Sequence, residues 1–229
     1  MLSSLLNGAS LSDWFVQILY RIPAVLIAIS LHEYAHALMA HLLGDNTAKM
    51  YGRLTPNPAA HFDIVGALCM LFVGFGWAKP VPFDYRNLKK PKRDTALIAF
   101  AGPLMNFIVA AAALLLYAFL YVFFSHIVTL SNARLLGIIL QIIIHIYSLN
   151  LGLMVFNLIP IPPLDGSKVL FSFLPASSYK FILTYERYGS FILLAALFLG
   201  ALDVPLNFLV NLISSPLEGI AFKIIAFLM

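Results

Sequence analysis

The chain has 229 residues, 62% of them hydrophobic and only 10% charged, with a formal net charge of +4. A soluble domain carries roughly 25% charged residues, so a water-soluble globule is excluded for want of polar surface to cover it. The composition predicts an all-α polytopic membrane protein, a bundle of about four to six transmembrane helices forming a single unit over 1–229, with no hydrophilic block of the roughly 100 residues an appended soluble domain needs. The basic residues cluster beside apolar segments, which is a membrane pattern and not a nucleic-acid signature. The single cysteine, Cys69, excludes an internal disulfide and a cysteine-only metal site.

The N-terminal stretch MLSSLLNGASLSDWF lacks a basic region and a small-residue cleavage site, and reads as mature protein. The first apolar run extends from about Trp14 to Leu43, interrupted by Pro23. A straight helix is expected from near Ile22, about 22 residues or roughly 33 Å long, enough to cross a bilayer core. Gly44, Asp45 and Asn46 read as its stop.

Residues 45–94 contain Lys49, Arg53, Lys79, Arg86, Lys89, Lys90, Lys92 and Arg93, eight of the fourteen basic residues. The positive-inside rule puts this region in the cytoplasm and the N-terminus outside. Within it, IVGALCMLFVGFGWAKPVPFD is apolar but broken by Gly66, Gly74, Gly76, Pro80 and Pro82. It is too short to span, so a membrane-associated re-entrant element or β-hairpin is expected. A strand within Gly66–Pro82 would offer an edge to an unwound substrate.

A second span is expected over about Thr95 to Phe124, followed by a short outer loop. A third starts near Arg134 and runs into NLGLMVFNLIPIPPLDG, where Pro160, Pro162 and Pro163 break it. A fourth is expected over about Tyr188 to Ile213, bent near Pro205, with an apolar tail from Pro216 that spans partially or lies in the interface. The C-terminal helices thus occupy about 188–229.

Inside the first span stands ISLHEYAHAL. Each charged group at bilayer depth costs about 2.5–3.5 kcal/mol on insertion scales, so His32, Glu33 and His36 require a reason to be there. His32 and His36 are four residues apart and share a helix face. Their imidazoles can grip one metal ion, for which Zn²⁺ is the usual occupant. Glu33 can reach a water activated by that metal and act as general base. The competing reading is a polar trio packed between helices.

A catalytic zinc needs a third protein ligand. His41 points to another face, His61 and Asp63 lie in the solvated stretch, and His126 belongs to the outer loop. His145 suits an interior hydrogen bond, and Glu186 and Glu218 flank spans. Asp165 is the best candidate, because it follows proline-broken backbone that at membrane depth must line protein or a watery cavity. The alternative for Asp165 is an interfacial turn with Gly166. Asn157 is a candidate donor to an oxyanion or to substrate backbone, or else a helix-capping or interhelical amide. Asn106, one turn past Gly102 and Pro103, fits a hydrogen bond across a close helix approach, with substrate handling the alternative.

Several pieces in this order resemble the site-2 proteases, intramembrane zinc metalloproteases. HEYAH matches that family's first metal motif, and NLIPIPPLDG is similar to its second. FAGPLMNF resembles the Gly-Pro-x-x-Asn element of the intervening core helix, and GWAKPVPFD the segment after the membrane-associated hairpin. The resemblance covers about residues 22–175, a catalytic core, and is to a minimal member without PDZ or CBS domains. It implies Asp165 as third ligand to one Zn²⁺, catalytic Glu33, transmembrane protein substrates in the lipid bilayer, and cleavage near the cytoplasmic side of a prokaryotic plasma membrane. A gating partner and oligomeric state are left open.

The alternatives differ in what they require. A di-iron oxidase needs several histidine clusters, and only six histidines are present. A membrane metal-binding or transport protein has no use for Glu33 beside the metal. An inactive helix-binding scaffold has no use for the intact ligand set. A CAAX-type protease takes a glutamate as third ligand, and no glutamate stands in a suitable helix.

Overall fold

The computed structural model describes residues 10–72, 76–125 and 133–228. Among them are five helices long and apolar enough to cross a membrane, within the expected range, and no strand. Gly74, His126 and the first nine residues lie outside the described residues.

Helix α1 (Leu11–Leu42) carries Pro23 in its interior. The expected start near Ile22 is therefore a correction: the helix begins a full three turns earlier. Ser10 caps it by accepting from the Asp13 N–H at 3.1 Å. A proline is tolerated inside a membrane helix when neighbours and local adjustment satisfy the freed carbonyl, and Ala24, Val25 and Ala28 beside it are buried. The stop falls where expected. Gly44 follows the last turn, and the buried Asp45 N–H closes on Ala40 O at 2.9 Å.

Two single-turn helices, α2 (Thr47–Met50) and α3 (Pro58–His61), lead into α4 (Ile64–Phe72). At nine residues α4 is about 14 Å long, too short to span. It is the re-entrant element. The β-hairpin alternative and the strand expected within Gly66–Pro82 are corrected among the described residues: the run is helical to Phe72, and the return, residues 76–84, has no regular secondary structure. A helix satisfies its own backbone at membrane depth, which a lone hairpin cannot do. The return leg lies against α4 because both partners lack a side chain at the crossing. A Cβ on Gly66 would fall 2.0 Å from Trp77 O, and one on Gly76 2.0 Å from Gly66 O.

Helix α5 (Pro91–Ser125) begins one turn before the expected Thr95. Pro91 suits a first-turn position, and Asp94 reaches back to accept the Lys90 N–H at 2.8 Å. Helix α6 (Ala133–Asn157) follows the expected third span and ends at the proline-broken stretch. Helices α1, α5 and α6 form the centre. Small buried residues let them approach closely: Ala28, Ala37 and Ala40 on α1, Ala99, Ala110 and Ala118 on α5.

After α7 (Asp165–Phe173) come α8 (Tyr179–Phe198) and α9 (Asp203–Leu228). The single fourth span expected over Tyr188–Ile213 is a correction. Gly200, at φ +66°, ends α8 in a left-handed turn, with Ala201 N–H on Ala196 O at 2.9 Å. Pro205 falls in the first turn of α9, where its missing N–H has no helical partner to lose. The tail from Pro216 is the second half of α9, not a separate segment. Helix α9 packs Val210, Ile213, Leu217 and Ala221 on a core of α5 and α6 residues. Its Glu218 accepts the Tyr147 hydroxyl at 2.9 Å, which gives an ionisable group within a span a partner.

Candidate metal centre

One turn of α1 separates His32 from His36, and their Nε2 atoms stand 3.0 Å apart. Asp165, in the first turn of α7, is delivered to them by the proline-broken loop after α6. Its Oδ2 lies 3.1 Å from His32 Nε2 and 3.2 Å from His36 Nε2. All three residues are buried, and they are the one His/Cys/Asp/Glu group among the described residues arranged to hold a metal ion. The structure brings together the two histidines and the aspartate named from the sequence.

Hydrogen bonds on the far side of each imidazole set its tautomer. His36 Nδ1 faces Ile98 O at 2.7 Å. A carbonyl only accepts, so Nδ1 donates, and in the neutral ring Nε2 presents its lone pair. His32 Nδ1 donates to Asn106 Oδ1. That amide's orientation is set by a relay: Asn106 Nδ2 donates to Asn150 Oδ1 at 2.9 Å, and Asn150 Nδ2 to Ile146 O at 2.8 Å. The relay ends on another obligate acceptor, so its direction cannot reverse. With both rings neutral, two imidazole lone pairs and a carboxylate oxygen therefore converge within 3.0–3.2 Å.

With neutral rings that arrangement is repulsive, and a metal cation between the donors relieves it. Zinc with bonds of about 2.0–2.1 Å places tetrahedral donors on the order of 3.3 Å apart, close to the spacing seen. The donor set thus fits zinc, with a histidine pair and a carboxylate as the three protein ligands and a fourth position free.

Space around the trio is provided by α5. Gly102 faces it so closely that a Cβ there would lie 2.4 Å from His36 Nε2 and 2.6 Å from His32 Cε1. Gly166 does the equivalent for the loop, because a Cβ would meet Leu158 O at 2.2 Å. A cavity of about 330 Å³ opens beside the three ligands, walled by Trp77, Val81, Phe83, Phe156 and Leu193 among others.

Glu33 lines the same cavity but is not one of the converging donors. Its Oε2 accepts the Val81 N–H at 3.1 Å. Asn106 sits behind His32, with hydrogen bonds that link α1, α5 and α6. Asn157 lies in the cavity wall, and its Nδ2 donates to Leu153 O at 3.0 Å. The remaining candidates stand apart from the trio. His41 pairs with Asn46, His61 Nε2 with Thr55 O, Asp63 with Gly66 N–H, and His145 with Gln141 O.

Sequence reasoning missed Asn150 and Lys168. Asn150 was visible as an amide in an apolar span, four residues from Ile146. Lys168 was visible as a cation one turn past Asp165. Its Nζ lies 3.6 Å from Asp165 Oδ1 and 6.0 Å from the Phe83 ring centre.

Residues 20–200 match the family model described as Peptidase family M50. The provisionally named zinc metalloprotease YwhC of Bacillus subtilis is 36% identical over 80% of this chain and 81% of its own length. The provisionally named zinc metalloprotease Rip2 of Mycobacterium tuberculosis is 32% identical over 63% of this chain. The match spans about half of Rip2, 53% of its length. No solved structure matches the chain.

Proposed function

The chain belongs to peptidase family M50, the site-2 protease family, and from that membership we propose that it is a zinc-dependent endopeptidase cleaving transmembrane segments within the bilayer. The observation that carries the reading is the convergence of two imidazole lone pairs and the Asp165 carboxylate in a buried cavity. His32, His36 and Asp165 are the zinc ligands. When bound, the metal supplies Lewis acidity, which brings the pKa of water down to about 7.

Glu33 is the general base. It takes a proton from the attacking water as the oxygen–carbon bond forms, and delivers it to the amide nitrogen as the carbon–nitrogen bond breaks. Asn157, in the cavity wall, offers its amide to the substrate backbone. The substrate must unwind locally, because helical carbonyls are engaged in i to i+4 bonds. The apolar walls at Trp77, Phe83, Phe156 and Leu193 fit aliphatic and aromatic side chains on such a segment.

Depth follows from helix arithmetic. His36 is six residues from the Leu42 end of α1, about 9 Å, and His32 ten residues, about 15 Å. That end packs on Leu88, at the start of the basic run Lys89–Arg93. By the positive-inside rule this end is cytoplasmic, in a bacterial plasma membrane, and cleavage falls on that side.

A metal carrier is the second reading, favoured by the ligands alone and disfavoured by Glu33 in the cavity. The deciding test pairs metal content with cleavage. Glu33→Gln retains about one zinc and loses cleavage, whereas His36→Ala loses both. Zinc transport by the wild type in liposomes without proteolysis would support the carrier instead.

A further inference from the structure

The wall of the cavity that faces Glu33 is the return leg, residues 76–84, which has no regular secondary structure. It contains Pro80, Val81 and Pro82, and proline has no N–H. Val81 therefore holds the only backbone donor of the three, and that donor points at Glu33 Oε2, 3.1 Å away. One donor on each side is engaged as well. Lys79 N–H bonds His61 O at 2.9 Å, and Asp84 N–H bonds Asp45 Oδ2 at 2.7 Å.

The leg is thus pinned on both sides of Val81. His61 and Asp45 are each fully buried, so neither anchor is a surface contact. The prolines also stiffen it. A residue before proline is driven to extended backbone, which applies to Lys79 and Val81 alike. A rigid leg, anchored at two buried points, holds one N–H against one carboxylate oxygen.

We infer that the Val81 backbone N–H is a positioning group for Glu33, fixing the carboxylate that takes the proton, with Pro80 and Pro82 keeping that N–H in register. The inference rests on the protease reading above. One carboxylate oxygen is tied to the leg, and Glu33 itself lines the cavity. A free glutamate side chain has three rotatable bonds, and a general base must lie within hydrogen-bond reach of its proton. The positioning rests on the Val81 N–H and not on its side chain, so truncation to alanine keeps it and substitution by proline removes it.

Two measurements test this. The first follows hydrogen exchange at the Val81 amide, the sole exchanging amide of residues 80–82, in protein held in phosphatidylcholine nanodiscs. Glu33→Ala removes the acceptor and speeds that amide about tenfold or more, as expected for a hydrogen bond to a charged group. Unchanged exchange overturns the proposal whatever the protein's activity. The second compares Val81→Pro and Val81→Ala on a helix-destabilised transmembrane reporter peptide in the same discs. Val81→Pro lowers kcat about 10- to 100-fold with KM within about twofold and zinc stoichiometry unchanged, while Val81→Ala, which keeps the N–H, retains a clearly higher kcat than Val81→Pro whatever it does to KM. Three results overturn the proposal: equal kcat for Val81→Pro and wild type, a rise in kcat, or a parallel loss of zinc. If the wild type cleaves no reporter, the protease reading fails, and the exchange measurement still decides whether Glu33 is held by this N–H.

Discussion

Gly102→Ala adds one methyl group at the metal centre and nowhere else. On the observed backbone the new Cβ lies 2.4 Å from His36 Nε2, 2.5 Å from His36 Cε1 and 2.6 Å from His32 Cε1. Real contacts of this kind sit near 3.5–4.0 Å, so the rings must move by about 1 Å. Neither ring can do so freely, because His36 is tied to Ile98 O and His32 to the Asn106–Asn150 relay. Overpacking of this kind costs about 1–3 kcal/mol, and it falls on the atoms proposed to bind zinc. Zinc affinity should fall by about 10- to 100-fold or more, the range seen when ligand-orienting contacts are lost. The assay is competitive zinc titration against a chromophoric chelator, with thermal unfolding in parallel. Gly152→Ala is the control, because nothing lies within 4 Å of its added Cβ. That variant should keep wild-type zinc affinity and gain up to about 1 kcal/mol of helix stability. Gly102→Ala binding zinc as tightly as wild type would refute the placement of α5 against the ligands.

Asn106→Leu breaks the relay behind His32 and should lower zinc affinity about 10- to 100-fold without abolishing folding, as read by the same titration. Tyr147→Phe leaves Glu218 without its hydroxyl partner within the span and should destabilise the protein by about 1–2 kcal/mol, measured by unfolding in mixed micelles. Burial pushes the Asp45 carboxyl up, but hydrogen bonds from Thr47, Asn87 and the Asp84 N–H outweigh it and hold the carboxyl below its ordinary value. Its stabilisation is therefore present above the unfolded value of about 3.9 and lost as pH falls through the folded value. Asp45→Asn should flatten the melting temperature across that acid window, and an unchanged profile would exclude this carboxylate as the cause.

The histidines of the proposed metal site were legible because their chemistry is expensive in lipid. Two histidines four apart in an apolar span have few uses, and HEYAH declared itself. Asp165 was less plain by residues alone, since an aspartate before glycine after prolines also starts a turn; resemblance to a known motif decided it. The span count was legible within limits, but its boundaries were not. Pro23 looks like a helix start in isolation, yet packing of Ala24, Val25 and Ala28 carries α1 through it. The break at Gly200 was hidden because glycine inside an apolar run signals nothing by itself, and Pro205 drew attention to the wrong residue. The segment around α4 was read as a possible strand because it is apolar, short and too broken by glycine and proline to span. Its nine-residue helix has no alternation to detect, only a need to satisfy its own backbone. Asn150 and Val81 escaped altogether: one acts through another side chain, the other through a backbone N–H that no side-chain motif can reveal.

The central claim is that His32, His36 and Asp165 hold one zinc ion, and zinc-edge X-ray absorption on the purified protein in nanodiscs tests it most directly. The account predicts about one zinc per chain with two imidazole nitrogens and carboxylate oxygen at about 2.0–2.2 Å. Asp165→Ala and His36→Ala should each lower occupancy severely, and Glu33→Gln should leave the spectrum intact. Zinc bound at full occupancy in Asp165→Ala with an unaltered ligand shell, or lost in Glu33→Gln, would contradict the account.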